Sequence, residues 1–330
     1  MSDETADRVG ETKGRVVVGV DGSEESLRAL DLAVCEAVRR GTELETLYAA
    51  GWPRRSPVPV TAEDVERIRT AGAELVDAAD QRARSREPEL RTVPSVHTDS
   101  GAAEALVRAG RDAALTVVGA RGHGGFTGLL VGSVALRVAA HCQGPVLVAG
   151  GSPRPPRERH EPRGQRAHPE RGHRERGHRD EDDSAAAAAA PTLVGLTAGG
   201  EEDDAALRFG FAEAVRRGSP LRVLHAWTVP RLPGGLRLPE ERYAAAREAA
   251  AHRVRDAVAP YREGHPEIAV SAEEQGGGPA ASLVEASRAA GVLVLAAHRE
   301  RRPGLGLRLG PVAHAVVHHA HCPVVLVPAG

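Results

Sequence analysis

Three glycines and a serine in this 330-residue chain are spaced as an anion-binding loop requires. Gly119-Ala120-Arg121-Gly122 is followed, after nine residues, by Gly132-Ser133. The apolar run Leu115-Thr116-Val117-Val118 precedes the first glycine, and a helical pattern from Val134 to Ala140 follows the serine. Glycine at the carboxyl end of a strand lets backbone approach a ligand closely. A Gly-Ser pair opening a helix aims unpaired N–H groups and the positive end of the helix dipole at an anion. That chemistry suits a nucleotide phosphate held without lysine. Lys13 is the only lysine, and no G-x-x-x-x-G-K-[ST] occurs, which excludes a P-loop nucleotide hydrolase.

A carboxylate stands at a second strand end. Val16-Val17-Val18-Gly19-Val20-Asp21-Gly22-Ser23 reads as a buried strand that closes on Asp21 and turns into a helix over 24–40. Asp is also favoured in turns and helix caps, so Asp21 has a purely structural alternative. Gly119 and Gly122 have one too, as a plain strand-to-loop turn.

The two elements, in this order, resemble the nucleotide site of the universal stress protein family, ATP-binding type. The resemblance implies that Asp21, with the backbone of Gly19 and Val20, contacts the adenosine part of ATP. It implies that Ala49 offers its backbone to adenine. It assigns Val118, Gly119, Arg121 and Gly122 to the ribose and phosphates, and Gly132, Ser133, Val134 and Ala135 to the helix start that receives the phosphates. ATP with magnesium is the cofactor so implied. Family members carry a hydroxyl where Ala135 stands, and its loss leaves γ-phosphate and metal contacts open.

These residues need a scaffold that brings position 21 beside position 119. Apolar, β-branched strands over 15–20, 44–49, 92–97, 115–119 and 145–149 alternate with helical patterns over 24–40, 61–86, 101–112 and 132–141. Thr61 caps a stretch in which Val65, Ile68, Leu75, Val76 and Ala79 recur at helical spacing. Such alternation predicts an α/β fold: a doubly wound, mainly parallel five-stranded sheet with helices on both faces, Rossmann-like and adenine nucleotide α-hydrolase-like. Ligands bind such sheets beyond the strand carboxyl ends, where strand order reverses. The resemblance implies that the first and fourth strands are neighbours, which puts both loops on one crevice.

The chain then repeats itself. Ala29-Leu30 through Arg40-Gly41 matches Ala206-Leu207 through Arg217-Gly218 at an offset of 177 residues, and Pro145-Val146-Leu147-Val148 aligns with Pro323-Val324-Val325-Leu326. That period is far too long for a solenoid, so two duplicated domains are expected. The division is a tail over 1–14, a nucleotide-binding domain over 15–150, a linker over 151–190 and a degenerate second domain over 191–330. The linker carries nine arginines against eight acids between 153 and 183, with no large apolar residue. That composition predicts a disordered, solvated polyampholyte, ahead of a nucleic-acid arm or a metal tract on His160, His168, His173 and His178. The matching apolar edges around Leu147 and Leu326 predict an intramolecular pseudo-dimer, with a homodimer as the alternative.

The second copy lacks the chemistry of the first. Leu196-Thr197-Ala198 has no carboxylate where Asp21 stands, Ala297-His298-Arg299 replaces Ala120-Arg121-Gly122, and Gly310-Pro311 replaces Gly132-Ser133. Proline suits a helix start but removes a donor from the anion site. Arg299, Arg301 and Arg302 read as a surface loop, with a different anion as the alternative.

Composition bounds the rest. A net charge of −2 speaks against general affinity for nucleic acid or an acidic membrane. Cys35, Cys142 and Cys322 are too few for a disulfide scaffold, and Cys35 reads as a small core residue. The polar start has no signal-peptide core, and no apolar run reaches the ~20 residues of a membrane span, so a cytoplasmic protein is expected. Gly122-x-Gly124-x-x-x-Gly128 follows the fourth strand rather than opening the first β-α-β unit, so it is a poor dinucleotide loop. His123 stands beside the phosphate loop, to touch a nucleotide or face solvent. His314 and His318 share a helix face near His319 and His321; His319 matches His141, which favours a structural role at the helix end over metal. No nucleophile–base pair accompanies the site. The expected function is an ATP-binding stress-response regulator, without catalytic residues, whose occupancy controls a protein partner that the sequence leaves unknown. The alternatives are a slow ATPase or autophosphorylating protein using Ser133, and a nucleotide-free scaffold.

Overall fold

The computed structural model describes residues 14–51, 61–122, 130–151, 190–197, 201–228, 239–302 and 306–328. In the first copy, β1 (Val16–Gly19), α1 (Glu24–Arg40), β2 (Leu44–Ala49), α2 (Ala62–Arg86), β3 (Thr92–His97), α3 (Ala102–Ala109), β4 (Leu115–Gly119), α4 (Ser133–His141) and β5 (Val146–Ala149) alternate without exception. The second copy comprises β6 (Thr192–Leu196), α5 (Glu201–Arg217), β7 (Leu221–Trp227), α6 (Glu240–Gly264), β8 (Val270–Gly276), α7 (Pro279–Ala286), β9 (Val292–Ala297), a hairpin of β10 (Arg299–Arg302) and β11 (Gly306–Leu309), α8 (Pro311–His319) and β12 (Val324–Pro328).

The helix ends follow from local chemistry. Ser23 caps α1 by accepting from the Ser26 N–H, and Gly41 ends it at φ 59°, a left-handed conformation that costs glycine little. Thr61 and Asp64 form a reciprocal capping box on α2. The third helical pattern stops at Ala109 rather than 112, where Gly110 turns the chain toward β4.

Ten strands form one sheet in the order β3-β2-β1-β4-β5-β12-β9-β6-β7-β8. Pairing is parallel within each half. The single antiparallel junction is β5 against β12, with Leu147 opposite Val325 and Val146 opposite Leu326. The five-stranded parallel sheet therefore occurs twice, and the two copies meet edge to edge, as the apolar edge strands required. Both faces are covered. One core packs under α1, α2, α5 and α6, around Leu30, Val76, Phe211 and Val254. The other packs under α3, α4, α7 and α8, around Leu106, Val138, Leu283 and Val316. Strands buried on both faces have no solvated side to carry polar residues, which explains the continuous valine and leucine runs. The outermost strands carry the proline and charge that discourage further pairing, Pro94 in β3 and Glu273 and Glu274 in β8.

Two expectations need correction. Cys35 is exposed, because α1 buries Ala33, Val34, Glu36 and Ala37 and turns position 35 outward. The segment holding Arg299, Arg301 and Arg302 is not an irregular loop; it pairs antiparallel with 306–309. The tail over 1–13 and residues 152–189 lie outside the described residues, as do His123, Gly124 and Gly128. No described helix is long and apolar enough to cross a membrane.

Candidate functional site

Pairing of β1 with β4 places both glycine-flanked strand ends on one crevice. There they bound a cavity of about 390 Å³. Its floor is Gly19, Val20 and Asp21 from β1 and Ala49 from β2. One wall is Val118, Gly119, Arg121 and Gly122 from β4, and the far end is Gly132, Ser133, Val134 and Ala135 from α4. All twelve residues singled out by the sequence thus face one space. Ser26, Leu47, Ala102, Leu106 and Ala120 line it as well. Ser26 sits five residues beyond Asp21 inside α1, and only the α1 turn, which folds it back over the crevice, reveals it.

Asp21 does two jobs. Its Oδ1 accepts from the Ser23 N–H at 3.0 Å and the Ser23 hydroxyl at 2.6 Å, which shapes the turn into α1. Its Oδ2 lies against Gly122, where a Cβ would stand 2.3 Å away. Any side chain at 122 would displace that carboxylate. Gly119 is constrained differently: a Cβ there would press at 3.0 Å on the Glu25 carbonyl of α1. The two glycines therefore let the β4 loop close onto the start of α1.

The start of α4 carries partial positive charge. Gly132 is its N-cap and supplies no side-chain cap. The first-turn N–H groups have no intrahelical acceptor, and the helix dipole places partial positive charge there. The Gly132 N–H donates to the Ala120 carbonyl at 2.7 Å, which ties the helix start to the β4 loop. Arg121 adds a full positive charge at the rim, where its Nη2 meets Glu25 Oε1 at 2.8 Å. Among the described residues the cavity holds no histidine, no cysteine and no carboxylate besides Asp21.

The corresponding crevice in the second copy is lined differently, and Thr197, Ala226 and Pro279 border a cavity of about 440 Å³ there. By strand register Gly195 takes the place of Gly19, and Leu196, 2% exposed, that of Val20 beside this crevice. Thr197 Oγ1 and His298 Nε2 lie 3.1 Å apart. Asp203, at the position of Ser26, accepts from the Thr197 N–H at 3.1 Å and adds negative charge where the first copy has a hydroxyl. Pro311 opens α8 without a donor. On that helix, the His314 and His318 rings lie 4.5 Å apart, and burial, then the neighbouring His314 and His319, keeps His318 below the ordinary imidazole value. No cluster of three or more metal-ligating side chains exists among the described residues.

These features define a tandem, doubly wound α/β protein with a glycine-lined crevice in its first half. The chain belongs to the universal stress protein family, whose model matches residues 13–150 and again 191–328. It is similar to the universal stress protein Rv2005c of Mycobacterium tuberculosis, 29% identical over 326 residues that span 94% of this chain and 96% of the relative. A universal stress protein crystal structure from Archaeoglobus fulgidus shares the fold over 96% of this chain and 99% of that one, with a TM-score of 0.61 at 13% identity. A universal stress protein solved in complex with cAMP matches 42% of this chain at 28% identity, with a TM-score of 0.33.

Proposed function

We propose that this protein is an ATP-binding stress-response regulator whose nucleotide sits in the first copy and whose occupancy controls a protein partner. The observation that carries the reading is the convergence of Asp21, the Gly119–Gly122 loop and the uncapped start of α4 on one cavity. Its volume lies in the ~300–1,000 Å³ range of small-ligand clefts. Asp21 suits a ribose hydroxyl or adenine N–H at one end, and the N–H groups of Ser133, Val134 and Ala135 suit phosphate oxygens at the other.

The residues fit ATP better than they fit a protein-ligated magnesium. Magnesium prefers carboxylate, phosphate and water oxygens. No carboxylate lines the α4 end among the described residues, and Ala135 brings no hydroxyl. Magnesium that arrives with ATP would be held by the phosphates and water. The same poverty of acid–base groups favours occupancy over turnover as the output, since no described base lies in the cavity to activate Ser133 or a water.

Mass spectrometry of small molecules released from the purified full chain, followed by calorimetric titration with ATP, tests the proposal. One adenine nucleotide per chain is expected. A native protein that carries no nucleotide and gives no heat with ATP would refute it.

A further inference from the structure

A second concavity, about 640 Å³, runs between α3 and α4 and shares Ser133 and Val134 with the first cavity. Arg108, Arg111, Arg137 and His141 line it. Arg108 is engaged, with Nη2 at 3.1 Å from Ser100 Oγ and 3.4 Å from Asp99 Oδ1. The Arg111 and Arg137 side chains have no ion-pair or hydrogen-bond partner among the described residues. Both are exposed. Two uncompensated guanidinium groups along one groove, Arg137 in the middle of α4 and Arg111 just beyond the end of α3, are electrostatically complementary to carboxylates.

We propose that the α3–α4 groove is a docking surface for an acidic segment of a partner protein, with Arg111 and Arg137 as its anchors. The dimensions match a short peptide. α3 has eight residues, so it is about 12 Å long, the reach of roughly four extended residues. With a net charge of −2 the chain offers no extended basic surface for a nucleic-acid backbone to follow, so two isolated guanidinium anchors suit a short carboxylate-bearing segment better.

The shared first turn of α4 gives the groove a link to the nucleotide. Phosphates seated at Ser133 and Val134 would neutralise the positive helix end and repel carboxylates arriving from the groove side. ATP and the acidic segment therefore weaken each other, by the same factor in both directions. This coupling rests on the nucleotide reading; the groove itself does not.

Fluorescence anisotropy of a labelled octa-glutamate peptide against the full chain tests both parts. Saturable binding that weakens with salt is expected. R111E/R137E should lower it by about tenfold or more, two rim ion pairs each contributing up to ~1 kcal/mol. The milder R111Q/R137Q should fall between, with an unchanged melting temperature and unchanged ATP titration. Equal binding by wild type and R111E/R137E would overturn the proposal, and so would tighter binding of single-stranded DNA that the same variant abolishes. ATP that binds wild type without weakening the peptide would overturn the coupling alone. A chain that binds peptide but no ATP would leave the groove standing and remove the nucleotide reading.

Discussion

Arg40 Nη2 donates to Glu213 Oε2 at 2.7 Å across the junction of the two copies, and Arg217 Nη2 returns the contact to Glu36 Oε1 at 2.5 Å. The four residues are two copies of one E-x-x-x-R pattern at the ends of α1 and α5, and each arginine also pairs with the glutamate of its own helix. Glu36, Arg40 and Glu213 side chains are at most 1% exposed. The duplication thus carries its own interface, in which each copy completes the ion pairs of the other.

Removing one member of this box leaves the others charged and buried. Arg40→Ala should cost about 3–5 kcal/mol, the usual penalty for breaking a buried ion pair from one side. Arg40→Ala with Glu213→Ala should cost less than the sum of the single changes, because the orphaned charge goes too. Urea unfolding of the full chain measures both. Additive costs would show that the pair is not coupled.

The box also makes the junction acid-sensitive. Burial alone would raise the Glu213 carboxyl, but Arg40 and Arg217 beside it hold it below its ordinary value of 4.5. A carboxyl depressed in the folded state contributes stability that is present above the unfolded value and is lost as pH falls through the folded one. The urea midpoint should therefore hold from pH 7 to about 5 and drop below 4.5. Glu213→Gln should flatten that drop. A midpoint insensitive to acid in the wild type would contradict the assignment.

Asp21→Ala should weaken ATP binding by about 10–100-fold, since a hydrogen bond to a charged group contributes ~1.5–3 kcal/mol. The same change removes the bonds from the Ser23 N–H and hydroxyl. Asp21→Asn separates the roles, because its side-chain oxygen can still accept from Ser23 while the charge is gone. Calorimetric titration and thermal melting of both variants are the readout. Weak ATP binding at an unchanged melting temperature for Asp21→Asn assigns the carboxylate to the ligand, and unchanged binding in both returns Asp21 to the turn alone.

Most of the fold was legible because its signals are local. Val16–Val18 and Leu115–Val118 are apolar without interruption, as only strands covered on both faces can be, and Ser23, Thr61 and Gly41 mark helix ends by cap chemistry. The crevice was legible for a related reason: glycines at strand ends must meet wherever the first and fourth strands are neighbours. What stayed hidden depends on three-dimensional phase. Cys35 lies within a buried helix, yet its azimuth on α1 turns it to solvent. Ser26 reaches the cavity only because α1 folds back over β1. The Glu36 and Arg40 repeat was visible as a match to Glu213 and Arg217, but its meaning waited on the antiparallel meeting of the copies. Nothing in the sequence showed that Thr197 and His298 are bridged in the second copy, since the two lie 101 residues apart.

The seam between the copies should open before either copy unfolds. β5 and β12 are the middle strands of the ten, joined by three register pairs, with Leu147 and Leu326 fully buried. A guanidinium placed there has no water and no counter-ion, at a cost of several kcal/mol. Parting β5 from β12 exposes that charge while leaving the parallel pairs of each half intact. Tethering favours re-pairing, since carrying both halves on one chain keeps them at an effective concentration of about mM, so the charge must outweigh that bias. Leu147→Arg and Leu326→Arg should therefore lengthen the particle in small-angle scattering while the far-UV spectrum keeps its α/β form. Leu147→Ile should leave the profile compact. Unchanged scattering from both charged variants would show that the apolar edges do not hold the pair, and loss of the far-UV spectrum would show that each half needs the other to fold.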